Sequence, residues 1–153
     1  MKYAEKYFGS ALQSVIGKAR DARFWKLVAR ELIPTWHKNL LVLIGDAAHP
    51  MLTFLAQGGN QAIGDGAALG ALFDRVHDRS SVEARLEPFE QVRRDRASSL
   101  QILSNASPPP PQSVRNAASK YLPDGKKLES ADDINEYTFS FDVIRECQAI
   151  LAQ

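Results

Sequence analysis

The residues best suited to do chemistry lie in one stretch, 45–66, which reads Gly-Asp-Ala-Ala-His-Pro-Met-Leu-Thr-Phe-Leu-Ala-Gln-Gly-Gly-Asn-Gln-Ala-Ile-Gly-Asp-Gly. Asp46 supplies a carboxylate able to accept hydroxyl protons, and Gly58-Gly59-Asn60 opens a run with helical character. A helix start offers unpaired N–H groups and a partial positive charge to an electron-rich atom. His49, three residues after Asp46, raises the question of a metal or a catalytic dyad. Two such ligands are too few for zinc, His37 and His77 stand at no useful spacing, and H-E-x-x-H is absent, so no metal site is expected. Serine hydrolysis lacks its G-x-S-x-G. What remains is a polar ligand site with no assigned catalytic residue.

Several elements must position this stretch. Residues 40–44, Leu-Leu-Val-Leu-Ile, have the length and branching of a buried strand, which delivers Asp46 at its carboxyl end. The motif helix is expected over 58–76, and a further helix after a polar turn at 77–81 would bury Phe89, Val92, Leu100 and Leu103, with Pro88 in its first turn. Upstream, Ala4, Phe8, Leu12, Val15 and Ala19 recur at helical spacing, and 24–29 alternates as a half-buried strand does. Residues 108–111 are all Pro and should end the ordered core near Ser107. Beyond them Asp124-Gly125 marks a turn, and Phe139, Val143, Cys147 and Ile150 outline a last amphipathic helix.

Stretch 45–66 resembles the second flavin-contacting motif of the FAD-dependent aromatic hydroxylases, in their salicylate-hydroxylase-like branch. Asp46, His49, Pro50, Gln57, Gly58, Asn60 and Asp65 all fall in register. The likeness extends upstream through Trp25-Lys26-Leu27 and Ile33-Pro34-Thr35-Trp36 and downstream through Phe89-Glu90 with Arg93, Arg94 and Arg96, so that it covers about 23–104. It implies an α/β fold: the C-terminal part of a Rossmann-like FAD-binding domain, strand–Gly-rich turn–helix, followed by helices, with an incomplete sheet. It implies FAD as cofactor, with Asp46 bonding the ribityl chain and the N–H groups of Gly59 and Asn60 facing the pyrimidine edge of the ring. The His49-Pro50 pair would shape the turn, and Asp65 would be structural. The activity implied is hydroxylation of a small aromatic or polyketide-like substrate, with NAD(P)H as reductant and O₂ as oxidant.

Two positions depart from the family pattern: Thr53 stands where Pro is usual, and Gly64 where Glu or Gln is common. The family's G-x-G-x-x-G, which holds the FAD pyrophosphate on a helix N-terminus, has no match; Gly64, Gly66 and Gly70 miss its spacing by one residue. The expected organisation is 1–107 as the C-terminal part of the FAD-binding domain, 108–112 as a Pro-rich linker and 113–153 as a helical tail. At 153 residues the chain is expected to be a short member of the family. It would be an enzyme, a chain whose pyrophosphate-binding half comes from a separate partner, or a non-catalytic remnant or interaction module that pairs with itself through bare sheet edges.

Composition sets looser bounds. An apolar content of 44% suits a globular chain, and a net charge of +1 gives no electrostatic reason to expect nucleic acid or an anionic membrane. A lone Cys147 excludes an internal disulfide and suits a core position, and the charged start Met-Lys-Tyr-Ala-Glu-Lys is unlike a signal peptide, so a cytoplasmic protein is expected. Arg93-Arg94-Asp95-Arg96 suggests a solvated helix face with ion pairs, since Glu90 lies four residues before Arg94. Trp25 and Trp36 suggest core anchors, and Gly66 and Gly70 close helix–sheet packing. Charge-assisted hydrogen bonds contribute roughly 1.5–3 kcal/mol each, so a chain without the pyrophosphate loop should hold FAD weakly. The purified protein is expected to be colourless after dialysis; a yellow, stoichiometric holoprotein would overturn this.

Overall fold

The computed structural model describes residues 2–21 and 23–153; Met1, where the charged amino-terminal stretch begins, lies outside them. Its centre is a pair of helices, α3 (Gly58–Leu72) and α4 (Ser80–Leu103). On α3 the buried positions are Gln61, Asp65, Ala68 and Leu72, a stripe of spacing four, three, four that is polar at its start and apolar at its end. On α4 the matching stripe runs Phe89, Arg93, Arg96, Ala97, Leu100, Leu103. The two stripes face one another, which places Asp65 opposite Arg93. Phe89, Trp36, Ala68, Leu72, Ala97 and Cys147 form one apolar cluster.

Pro88 lies inside α4, eight residues after its start, and not in its first turn. The ring removes one N–H from the helical ladder. The helix nevertheless continues, because Phe89 and the residues after it are anchored in the core.

Around this pair the chain is less regular than its pattern suggests. The single amphipathic helix expected at the amino terminus is two, α1 (Lys2–Tyr7) and α2 (Ser10–Gly17), separated at Phe8 and Gly9. Residues 24–29 carry no strand, and Phe24 and Trp25 are exposed, Trp25 at 76%. The apolar run 40–44 contributes only a short hairpin, β1 (His37–Lys38) antiparallel to β2 (Leu41–Val42). Leu40, Leu41 and Ile44 remain exposed. An alternating or apolar segment becomes a strand only when neighbours accept its backbone bonds, and among the described residues β2 has β1 alone beside it. The structure is therefore mostly helical with a two-stranded sheet.

Packing does not stop at the prolines. The helices α5 (Gln112–Ala118), α6 (Ala131–Phe139) and α7 (Val143–Leu151) follow the run 108–111. Ala118, Leu128, Ile134 and Tyr137 pack with Leu100 and Leu103 of α4, so the ordered core expected to end near Ser107 extends well past it. α6 opens with a capping box in which Ser130 and Asp133 exchange side-chain and backbone bonds, and Asp142 caps α7. Cys147, on α7, is fully buried against α3, where its thiol lies 3.9 Å from the Ala68 carbonyl. The turn at Asp124-Gly125 is present, with Gly125 at φ +76°. Among the described residues no helix is long and apolar enough to cross a membrane.

Phe89 is the largest apolar side chain with no exposure, whereas Ile63 on α3 is 73% exposed. Phe89→Ala is expected to lower unfolding free energy by about 3–5 kcal/mol, and Ile63→Ala to change it by no more than about 0.5 kcal/mol. Urea melts of the two variants measure the contrast.

Candidate flavin site

The motif begins where the chain leaves β2. Gly45 sits at φ +55°, a left-handed conformation that favours glycine, and a Cβ there would also come within 3.4 Å of Ala62 Cβ. A single 3₁₀ turn, Gly45–Ala47, presents Asp46 to solvent and carries the chain to His49. A second such turn, Thr53–Leu55, holds the exposed Thr53. It closes with Ala56 at φ +52°, after which Gln57 enters α3.

Behind the turn lies a buried polar knot. Asp65 has no exposed surface. Its Oδ2 accepts from the Gly45 N–H at 2.9 Å and from His49 Nε2 at 2.7 Å, and its Oδ1 accepts from Arg93 Nε at 2.8 Å. Arg93, 1% exposed, also donates through Nη2 to the carbonyl and the side-chain oxygen of Gln61. Burial alone would raise the Asp65 carboxyl; the bonds from His49 and Gly45 and the charge of Arg93 outweigh it and hold the group below its usual 3.8. His49 therefore shapes the turn, and Asp65 is structural. Gly64 has a reason of its own: a Cβ there would stand 3.1 Å from Arg93 Nη2 and 3.2 Å from its Cζ, so glycine leaves room for the guanidinium.

A second carboxylate works the same way one turn earlier on α4. Glu90 Oε2 accepts from the N–H groups of Trp36 and His37 and from His37 Nδ1, and Oε1 accepts from Arg94. Burial again pushes upward, and these bonds bring Glu90 below its usual 4.5. Trp36, buried as expected, lies between His49 and Phe89, with ring centroids 5.2 and 6.4 Å away.

Of the run Arg93 to Arg96, Arg94 and Asp95 behave as surface ion-pair residues. Arg93 and Arg96 are buried, contrary to the solvated face expected of them. Counting four and seven residues on from Phe89 reaches both, so the helical period carried a signal that the charge of the residues obscured. Gly66 and Gly70 make no close approach: a Cβ on either would meet nothing within 4 Å.

The exposed side of the motif has a different character. Asp46 has no hydrogen-bond or ion-pair partner among the described residues, and Asp46 Oδ1 lies 4.0 Å from where a Cβ on Gly58 would stand. No side chain caps α3, and its first turn carries no acid. Gly59 and Asn60 are exposed, with open space around Gly59. A carboxylate acceptor beside uncapped helix N–H groups fits a ligand that pairs hydroxyls with an electron-rich edge, as a flavin with its ribityl chain does. No cluster of three or more potential metal ligands occurs among the described residues.

The mostly helical fold with its two-stranded sheet is consistent with part of an α/β FAD-binding domain. The sequence model of the family described as FAD binding domain matches residues 10–103, more than half of the chain, and the protein belongs to that family. It is 65% identical over 152 residues to the FAD-dependent monooxygenase phomE of Diaporthe leptostromiformis, a match covering 99% of this chain and 41% of that protein. It is 40% identical over 132 residues to the FAD-dependent monooxygenase cfoG of Aspergillus candidus, covering 86% of this chain and 30% of the relative. It is 34% identical over 105 residues to a 6-hydroxynicotinate 3-monooxygenase of Pseudomonas fluorescens, covering 69% and 27%. The chain thus spans less than half the length of these relatives.

The depressed carboxyls of Asp65 and Glu90 fix a pH dependence. A group whose folded pKa lies below its unfolded value contributes stability above the unfolded pKa and loses it as pH falls through the folded one. The protein should therefore lose stability as pH drops below the ordinary values of 3.8 and 4.5. Asp65→Asn should be less stable near neutrality but should lose less on acidification. Arg93→Met, which strands a buried carboxylate, is expected to cost about 3–5 kcal/mol. Urea titrations at several pH values test both.

Proposed function

We propose that this chain supplies the ribityl- and pyrimidine-contacting part of an FAD-dependent monooxygenase. The observation that carries the reading is the pairing of an exposed, partner-free Asp46 with the uncapped start of α3. Asp46 accepts a hydrogen bond from a ribityl hydroxyl. The N–H groups of Gly59 and Asn60, backed by the helix dipole, stabilise negative charge at the pyrimidine edge. Asp65, Arg93 and His49 hold the turn that aims these groups. Bound here, FAD supplies the redox chemistry, taking reducing equivalents from NAD(P)H and using O₂ to hydroxylate a small aromatic or polyketide-like substrate. The relatives bearing the name FAD-dependent monooxygenase support this activity.

The exposed Leu40, Leu41 and Ile44 support a finer reading of the fold. In it β2 belongs to a larger, Rossmann-like sheet whose other strands, with the pyrophosphate loop, come from elsewhere in the protein or from a partner chain. Residues 1–107 then form the C-terminal part of that domain, 108–112 a linker in sequence and 113–153 a helical tail.

The test joins the amino-terminal region of the 65%-identical relative to this chain and follows FAD by flavin fluorescence. A hydrogen bond to a charged group contributes about 1.5–3 kcal/mol, so Asp46→Ala should weaken FAD binding by roughly one to two decades while leaving the melting transition in place. Unchanged affinity would show that the flavin does not meet this motif.

A further inference from the structure

Where the start of α3 meets α4 and the connection between α6 and α7, there is a cleft of about 280 Å³. Gln57, Asn60, Arg93, Arg96, Phe139 and Phe141 are among its walls. Its charge is unbalanced. Arg93 is neutralised by Asp65 at 2.8 Å, but Arg96, 7% exposed, has no carboxylate within ion-pair distance among the described residues. The neighbouring Asp95 pairs with Arg94 instead. Arg96 is held by other means: Nη2 donates to the carbonyls of Tyr137 and Thr138 at 2.8 and 3.1 Å, and the guanidinium lies 4.7 Å from the Tyr137 ring and 4.1 Å from the Phe141 ring.

These contacts orient the positive charge without cancelling it. Burial, and next to it the charge of Arg93, push the Arg96 guanidinium below its ordinary pKa against the pull of Tyr137. Arg93 Nη1 has no acceptor among the described residues, and beyond the two carbonyls Arg96 finds as acceptor only the neutral Tyr137 side chain and no carboxylate. Arg93 is 1% exposed and Arg96 7%, so only their outer edges face the cleft that both line. Two guanidiniums with spare donors, one charge in excess, therefore border an open cleft. Its other wall is apolar: Phe139 at the end of α6 is 70% exposed.

We infer that this cleft binds a small monocarboxylate, its head bridging Arg93 and Arg96 and its short apolar body lying against Phe139. A planar carboxylate matches the fork of a guanidinium and brings the single negative charge that is lacking. A phosphate dianion would bring one charge too many and set oxygens against phenyl carbon. Arg93, Arg96 and Phe139 take no part in the flavin contacts proposed above, and Asn60 borders both places.

The test uses the full chain labelled with ¹⁵N, with the arginine Nε–H resonances followed by NMR. Butyrate is titrated to tenths-molar at constant ionic strength, beside its neutral twin butyramide and beside chloride. Arg93 and Arg96 should shift saturably with butyrate and hardly with the other two. Arg96→Gln should abolish the response. Phe139→Ala, at an exposed position that spares the fold, should weaken butyrate binding several-fold while leaving any response to chloride unchanged. Equal shifts with butyramide would mean that the cleft selects only apolar bulk, and equal shifts with chloride only a diffuse positive field. Either result, or no saturable response in the wild type, overturns the carboxylate site even if Arg96→Gln fails to fold.

Discussion

The carboxylate of Asp65 is the constraint on which the other parts depend. It joins three pieces of chain: the 45–49 turn, through the Gly45 N–H and the His49 ring, its own helix α3, and α4 through the Arg93 guanidinium. None of these contacts is replaceable by apolar packing without a penalty, because each partner is a buried donor that would be left unpaired. Buried ion pairs add little net stability beside well-packed hydrophobic residues, but they are demanding about geometry. Here that demand fixes the direction in which the chain leaves β2 and the distance between α3 and α4. Gly64 belongs to the same constraint, since the guanidinium occupies the space a side chain would need.

Glu90 adds a second tie, fastening the Trp36–His37 backbone to α4. Between the two carboxylates Trp36 is gripped by His49 on one side and Phe89 on the other. The apolar cluster and the polar knot are therefore one assembly, interleaved along the α4 stripe. Where neither reaches, as over 23–32, the chain is irregular. It is held there at a few points, such as the Arg30 side chain on the Ala47 carbonyl and the Gln101 amide on the Arg30 carbonyl.

The parts legible in the sequence are those that local chemistry decides. The start of α3 at Gly58, the Asp124-Gly125 turn, the helix around Cys147 and the burial of Trp36 follow from turn residues and apolar period. Features that depend on distant partners were not legible. Residues 24–29 alternate like a strand but have no neighbour to pair with among the described residues, and Pro88 looks like a helix start because the packing that carries α4 through it is tertiary. Arg93 and Arg96 looked solvated because a charge is usually cheaper in water. Only the position of Asp65, and of the Tyr137 and Phe141 rings, makes their burial tolerable. The tail past the prolines hid for the same reason: Tyr137 and Ile134 find their core only once α4 is in place.

The two aspartates of the motif, nineteen positions apart, divide its labour in a way that bears on how such a protein can change over generations. Every oxygen of Asp65 is committed inward, so the residue is answerable to the fold. Asp46 makes no intramolecular bond among the described residues and is answerable only to what arrives from outside. Drift at the second can retune or abandon a ligand while the first keeps the turn intact. Recognition can therefore be lost, or acquired anew, by a lineage that never has to refold.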